Sequence, residues 1–283
     1  MPSRTFVVAR PMLTTAELAD LQAHARSIRR RVVQTISNAG VGHPGGSLSA
    51  ADILTTLYFR VLRIDPNNPS WPDRDRFVLS KGHAAAALYA TLAERGFIDP
   101  EQLNTFGRIN SNLQVHPDMH KVPGVEMSTG ALGQGLSVAV GMALGARLDG
   151  RPIRVFVLLG DGECQEGQIW EAAMSAAQFG LDNLTAIVDY NKVQLLGPVA
   201  EIMDVAPLAD KWRAFGWHAH EIDGHDFAQI AAALEGPRPP GQPVAVIAHT
   251  VKGRGVSFME GKAAWHGRPP TADELAQALA ELE

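Results

Sequence analysis

Three oxygen-bearing positions set the chemistry open to this sequence. Asp161 follows a short apolar run rich in β-branched residues (154–159, RVFVLL, bounded by Gly160), and Asn191 follows a second (184–190, LTAIVDY). Both runs read as buried strands. Between them, in 166–179, Ala172, Ala173, Ala176 and Ala177 recur at three- and four-residue spacing, which makes a helix with one flat packing face. Strand, helix, strand of this length is a βαβ unit with parallel strands and a right-handed crossover. Parallel strands bring their carboxyl ends to one edge, where open sheets bind ligands. A carboxylate and an amide oxygen meet there, both hard donors of the kind Mg²⁺ takes, and the carbonyl of Val193 would add a third. Gly160 and Gly162 let main chain approach a diphosphate, and the next helix N-terminus favours negative charge. Gly-Asp-Gly alone is usually only a turn. The intervening helix and the Asn turn the reading to a divalent metal with a diphosphate.

Four histidines stand on loops. His43 lies in Gly40-Val-Gly-His-Pro-Gly-Gly46, too rich in glycine for regular structure, before Ser49, which is expected to cap a helix running to about residue 62. A histidine on such a loop serves structure as readily as catalysis. His83 ends Ser80-Lys-Gly-His83 after a strand at 76–80, and opens an alanine-rich helix that stops at Gly96. It shares an edge with Asp161 if the strands share a sheet; otherwise it is a helix-start residue bonding backbone. A polar loop at 107–125 carries His116-Pro-Asp118 and runs into 124–135 (GVEMSTGALGQG); loops of that length tend to be functional. His266 follows Thr250-Val-Lys-Gly-Arg-Gly255, where Lys252 and Arg254 serve anions or face solvent. The single cysteine, Cys164, has no evident base partner and reads as a small buried residue rather than a nucleophile.

GHPGG, SKGH, TGALGQG and the GDG-to-Asn spacing together resemble the transketolase family over nearly the whole chain. The resemblance implies thiamine diphosphate with Mg²⁺, for which Ca²⁺ or Mn²⁺ would substitute. It implies Asp161, Asn191 and the Val193 carbonyl as metal ligands, and His83, Gly130, Leu132, Gly162, Asn191 and His266 as cofactor contacts. His43 and His116 would touch substrate or relay protons, as suits a group that titrates near neutrality, and His83 would act from the cofactor side. The implied reaction moves a two-carbon ketol unit between sugar phosphates, the cofactor carrying the carbanion chemistry.

In that family the activating glutamate comes from a pyrimidine-binding domain across a subunit interface, normally later in the same chain. This chain stops at Glu283. The expectation is therefore the N-terminal subunit of a split enzyme, active with a separate C-terminal pyrimidine-binding subunit in an α2β2 assembly. Glu166 is expected at the subunit interface and Glu171 on a solvated helix face. Asn110 stands about six residues before the His-Pro pair, where the resemblance leads one to expect a further histidine, and its place there puts the usual ketose donor in question. Half of a 2-oxoacid dehydrogenase or decarboxylase would share GDG and Asn without the other three motifs. A non-catalytic cofactor-binding module, or a truncated chain, is the reading of a different class.

The elements that must position these residues follow from simpler signals. With 283 residues, 46% hydrophobic and 19% charged, the chain can bury one large core or two modest ones. A net charge of −5 argues against a general nucleic-acid binder. One cysteine fits a reducing compartment. With no apolar run long enough to span a bilayer and no signal-peptide core, the expectation is cytoplasmic, with no membrane partner. Thr14 and Glu17 form a capping box, and Leu18, Leu21, Ala25, Ile28, Val32 and Ile36 make a helical stripe ending at Gly40. Arg29, Arg30 and Arg31 interrupt it as a solvated or partner-facing patch. Gly141 and Gly145 suggest close packing of the helix that carries them. Further helices are expected at 207–215 and 227–234, strands at 217–222 and 244–249, a structural turn at Asp223-Gly-His-Asp226, and a closing helix capped by Thr271. Five strands alternating with helices predict an α/β fold, a doubly wound, mostly parallel sheet with helices on both faces, the thiamine-diphosphate-binding fold. One domain is expected over 14–283 after a tail at 1–13.

Overall fold

Each run expected to be a strand is one. The computed structural model describes residues 12–283, so nearly all of the expected tail at 1–13 lies outside the described residues. Strands β1 (Arg76–Leu79), β2 (Val155–Gly160), β3 (Leu184–Tyr190), β4 (His218–Asp223) and β5 (Val244–His249) form one parallel sheet in the order β1-β2-β3-β5-β4. The helices are α1 (Thr15–Ala39), α2 (Pro44–Ser49), α3 (Ala51–Thr56), α4 (Ala85–Arg95), α5 (Gln134–Leu148), α6 (Gly167–Gln178), α7 (Val199–Ile202), α8 (Leu208–Ala214), α9 (Phe227–Glu235) and α10 (Ala272–Glu281). Among the described residues no helix is long and apolar enough to cross a membrane.

Because helices cover both faces, the strands bury alternate side chains into two cores, which is why they read as unbroken apolar runs. Phe156 and Leu158 of β2 join a cluster with Ile28, Val32 and Ile36 of α1 and Leu88 and Leu92 of α4. Val155, Val157 and Leu159 join the opposite cluster, with Leu136 and Ala139 of α5 and the flat face Ala172, Ala173 and Ala176 of α6. Register then fixes the site. Gly160 pairs with Asp189, so Asp161 and Asn191 leave neighbouring strands almost level with each other.

Three expectations are corrected. Ser49 does not cap a helix: α2 starts at Pro44 directly after His43, and the chain breaks at Ala50 before α3. Proline suits a first helical position, and packing overrides the poor propensity of Gly45 and Gly46. A Cβ on Gly45 would lie 2.8 Å from the Trp265 carbonyl oxygen and 3.0 Å from Lys252 Cε. The arginine patch is not free. Arg29 is buried and donates two bonds to Asp52, at 2.8 and 2.6 Å; Arg30 donates to the Leu279 carbonyl at 2.8 Å near the end of α10; Arg31 donates to Glu94 at 3.1 Å. Gly141 and Gly145 face open space rather than a close neighbour.

The turn at Asp223-Gly-His-Asp226 is structural, as expected. His225 Nδ1 bonds Asp52 at 2.8 Å, its Nε2 accepts from the Val251 N–H at 2.9 Å, and Asp226 caps α9. Arg29→Ala strips buried Asp52 of its cation, which is expected to cost about 3 kcal/mol and lower Tm by roughly 6–12 °C in a thermal melt. An unchanged Tm would show that the pair is not a structural one.

Candidate functional site

The carboxyl edge of the sheet gathers nearly every residue singled out above. Asp161 is 3% exposed. Its Oδ1 accepts from the Gly162 N–H at 2.8 Å and its Oδ2 from the Lys192 N–H at 2.5 Å, so one carboxylate ties the β2 loop to the β3 loop. Burial, with the charge of Asp189 behind it, pushes its pKa up to about 6. Asn191 is buried, its Oδ1 accepting from the Val193 N–H at 3.1 Å. The Val193 carbonyl accepts from Lys252 Nζ at 2.8 Å. Among the described residues no three His, Cys, Asp or Glu side chains converge as a metal cluster. The expected set needs only one acid, since its other members are an amide and a main-chain carbonyl.

Behind this row stands Asp189, fully buried. Its Oδ2 accepts from Ser49 Oγ at 2.6 Å and from Lys81 Nζ at 2.5 Å, and its Oδ1 from Thr250 Oγ1. Lys81, itself 1% exposed, also donates to the Gly46 carbonyl at 2.9 Å.

The four loop histidines form one cluster. Ring centroids of His43 lie 5.3 Å from His83, 5.5 Å from His266 and 6.2 Å from His116, and His83 stacks on His266 at 5.1 Å. Burial and then the nearby lysines and histidines hold His83 well below the ordinary imidazole value and His266 down at about 3. Burial, then His116 and Lys252, lowers His43. Lys252 bonds His266 Nδ1 at 3.0 Å, and burial, with Lys81 adding to it, brings its own pKa down to about 8. Neutral imidazoles beside two buried ammonium groups suit a polyanion. Among the described residues His43 Nδ1 and Gln194 Nε2 find no hydrogen-bond partner, although both are buried. Orphaned groups at such a place fit a bound polar molecule better than bare packing.

The remaining positions fall in place around the cluster. A Cβ on Gly130 would lie 3.1 Å from the His116 ring, so glycine lets the 129–133 loop lie against that histidine. Leu132 is 37% exposed beside it. A Cβ on Gly162 would come within 3.2 Å of the Gln194 side chain. Asn110 sits on an exposed turn with φ 66°, and the residue that this loop delivers to the cluster is His116. Glu166 and Glu171 are exposed. Cys164 is buried, with its thiol donating to the Gly160 carbonyl at 3.4 Å, as expected of a packing residue. Lys81, Asp189, Glu163 and Gln194 were not foreseen. Only their positions beside SKGH, GDG and Asn191 hint at them, and nothing in a single sequence marks a lysine as buried.

A parallel sheet with helices on both faces and polar loops gathered at its carboxyl edge is an architecture that binds ligands at that edge. Residues 21–282 match the family described as transketolase, thiamine diphosphate binding domain, and the chain belongs to that family. It is 50% identical to the 6-deoxy-6-sulfo-D-fructose transketolase subunit SqwG of Clostridium sp. (strain MSTE9), over 93% of this chain and 96% of the relative. It is 48% identical to an apulose-4-phosphate transketolase subunit of Actinobacillus succinogenes over the same shares. Human transketolase is 40% identical over 94% of this chain but 42% of its own length. Among solved structures, a Pichia stipitis transketolase superposes with a TM-score of 0.86 at 33% identity, covering 91% of this chain and 40% of that one. Transketolase from Leishmania mexicana gives 0.87 at 29% identity, covering 96% and 42%. The chain thus spans nearly all of the subunit-type relatives and about two-fifths of the long ones.

Burial raises the Cys164 thiol well above its ordinary value. A thiol-specific disulfide reagent is expected to leave it unmodified in the folded protein and to react with it fully in denaturant. Rapid reaction under native conditions would contradict the buried placement.

Proposed function

We propose that this chain is the diphosphate-binding subunit of a split transketolase, which moves a two-carbon ketol unit between sugar phosphates together with a separate pyrimidine-binding subunit. One observation carries the reading: Asp161, Asn191 and the Val193 carbonyl stand on adjoining turns at the sheet edge, joined through Lys252 to a cluster of four histidines. The subunit names of the relatives that it covers almost completely support a partner chain. An α2β2 assembly would let that partner bring the activating glutamate, with exposed Glu166 at the interface.

Asp161, Asn191 and the Val193 carbonyl would hold Mg²⁺. Few protein donors with one negative charge leave the ion free to grip a diphosphate, which is how Mg²⁺ is usually held. Thiamine diphosphate, when bound, supplies a thiazolium carbon that stores a carbanion. Gly130, Leu132 and Gly162 would bring main chain and one apolar side chain against it, and His83 and His266 would face its diphosphate side. His43 and His116 would contact the sugar's hydroxyls and exchange protons there. His43, which burial holds below the ordinary imidazole value, offers one N–H donor and one lone pair when neutral. A reducing cytoplasm fits the lone buried thiol.

Two measurements test the metal reading. With the partner subunit present, Asp161→Asn is expected to weaken Mg²⁺-dependent cofactor binding by more than about a hundredfold, beyond the 10–100-fold that loss of an outer contact usually costs; unchanged affinity would refute the assignment. The pH dependence follows from the raised Asp161 value of about 6. The metal needs the carboxylate and protons compete for it, so affinity should be level above pH 7 and fall about tenfold per unit below pH 6. His43, His83 and His266 are held below the ordinary imidazole value. Binding that stays level down to pH 5 would contradict this.

A further inference from the structure

A buried acid close to Asp161 has no role in the mechanism. Glu163 is 2% exposed, two residues beyond Asp161, and its carboxylate joins three segments. Oε1 accepts from Ser80 Oγ at 2.5 Å, just after β1, and from the Gly133 N–H at 2.9 Å, at the start of α5. Oε2 accepts from the Gly160 N–H at 2.9 Å, the last residue of β2. Burial pushes its pKa up, against these three bonds and the nearby Lys81 ammonium.

Gly133 explains why a carboxylate is needed there. It precedes the first residue of α5 with φ 84°, has no side chain to cap the helix, and would leave its own N–H orphaned. Glu163 reaches across from another segment to take that N–H, at a helix end that favours negative charge. The other end of the same loop is also pinned, because Thr129 Oγ1 donates to the Leu79 carbonyl at 2.6 Å. Residues 130–132 are therefore stretched between two anchors, both fixed to the end of β1.

We propose that Glu163 is a positioning residue for cofactor binding, holding the Gly130–Leu132 loop at a set distance from the Gly160–Asp161 turn. The proposal rests on the reading that Gly130 and Leu132 touch thiamine diphosphate and Asp161 its metal. Glutamine cannot replace it, since its amide N–H would face either the Gly160 N–H or the Gly133 N–H, donor against donor.

The test titrates thiamine diphosphate, at saturating Mg²⁺, into this chain complexed with its partner subunit, with binding read by calorimetry. In Glu163→Gln, Kd is expected to rise about tenfold, as loss of one hydrogen bond to a charged group would produce. At saturating cofactor, kcat should stay within about twofold of wild type, because the reacting groups are untouched. Equal Kd in the two proteins overturns the proposal. A wild-type complex that binds no thiamine diphosphate sinks the reading beneath it, and the proposal with it. Should Glu163→Gln fail to fold, amide exchange in the wild-type complex decides: a Gly133 N–H as slow as those of β2 supports the clamp, and one as fast as an exposed loop overturns it.

Discussion

A negative charge buried at the end of β3 is the constraint on which the rest of the edge depends. The Asp189 carboxylate lies out of water and is kept ionised by what surrounds it: burial raises its pKa, but the Lys81 ammonium and the Ser49 and Thr250 hydroxyls outweigh burial and leave it below the ordinary value. Those partners come from α2, from the turn after β1 and from the segment after β5. One side chain thus fixes the relative positions of four segments. Removing a partner from such a pair typically costs about 3–5 kcal/mol, because the survivor is left charged and dry.

The chemistry of the site follows from that charge. Asp161 stands close enough to Asp189 for its own ionisation to be opposed. Lys81 and Lys252 lie in the same region and help to depress the histidines that share it. The result is an edge where one raised acid, two buried lysines and histidines held below the ordinary value meet. Gly130 and Gly162 add no chemistry of their own. They let main chain lie against the His116 ring and the Gln194 side chain, where a Cβ would crowd.

Much of this was legible because it rests on local rules. β3 and β5 end where apolar runs end, Thr14 makes the capping box that its spacing to Glu17 implies, and Thr271 caps the closing helix. Asp161 and Asn191 were legible because a parallel βαβ unit leaves no other edge for them. The pairs that were missed join distant parts of the chain: Ser49 with Asp189, Arg29 with Asp52, Glu163 with Gly133. No periodicity connects such positions, so Arg29 looked like surface and Ser49 like a cap. The glycines of α5 misled for the opposite reason. Small residues permit close packing but do not require it, and a Cβ on Gly141 or Gly145 would meet nothing within 4 Å among the described residues.

Anomalous scattering would test the metal-and-diphosphate edge most directly. Crystals of the complex with its partner subunit, grown with thiamine diphosphate and Mn²⁺, should show one strong peak bonded to the Asp161 carboxylate, the Asn191 amide oxygen and the Val193 carbonyl, with the diphosphate against it. A peak anywhere else, or a cofactor bound with its diphosphate away from these three residues, would contradict the account.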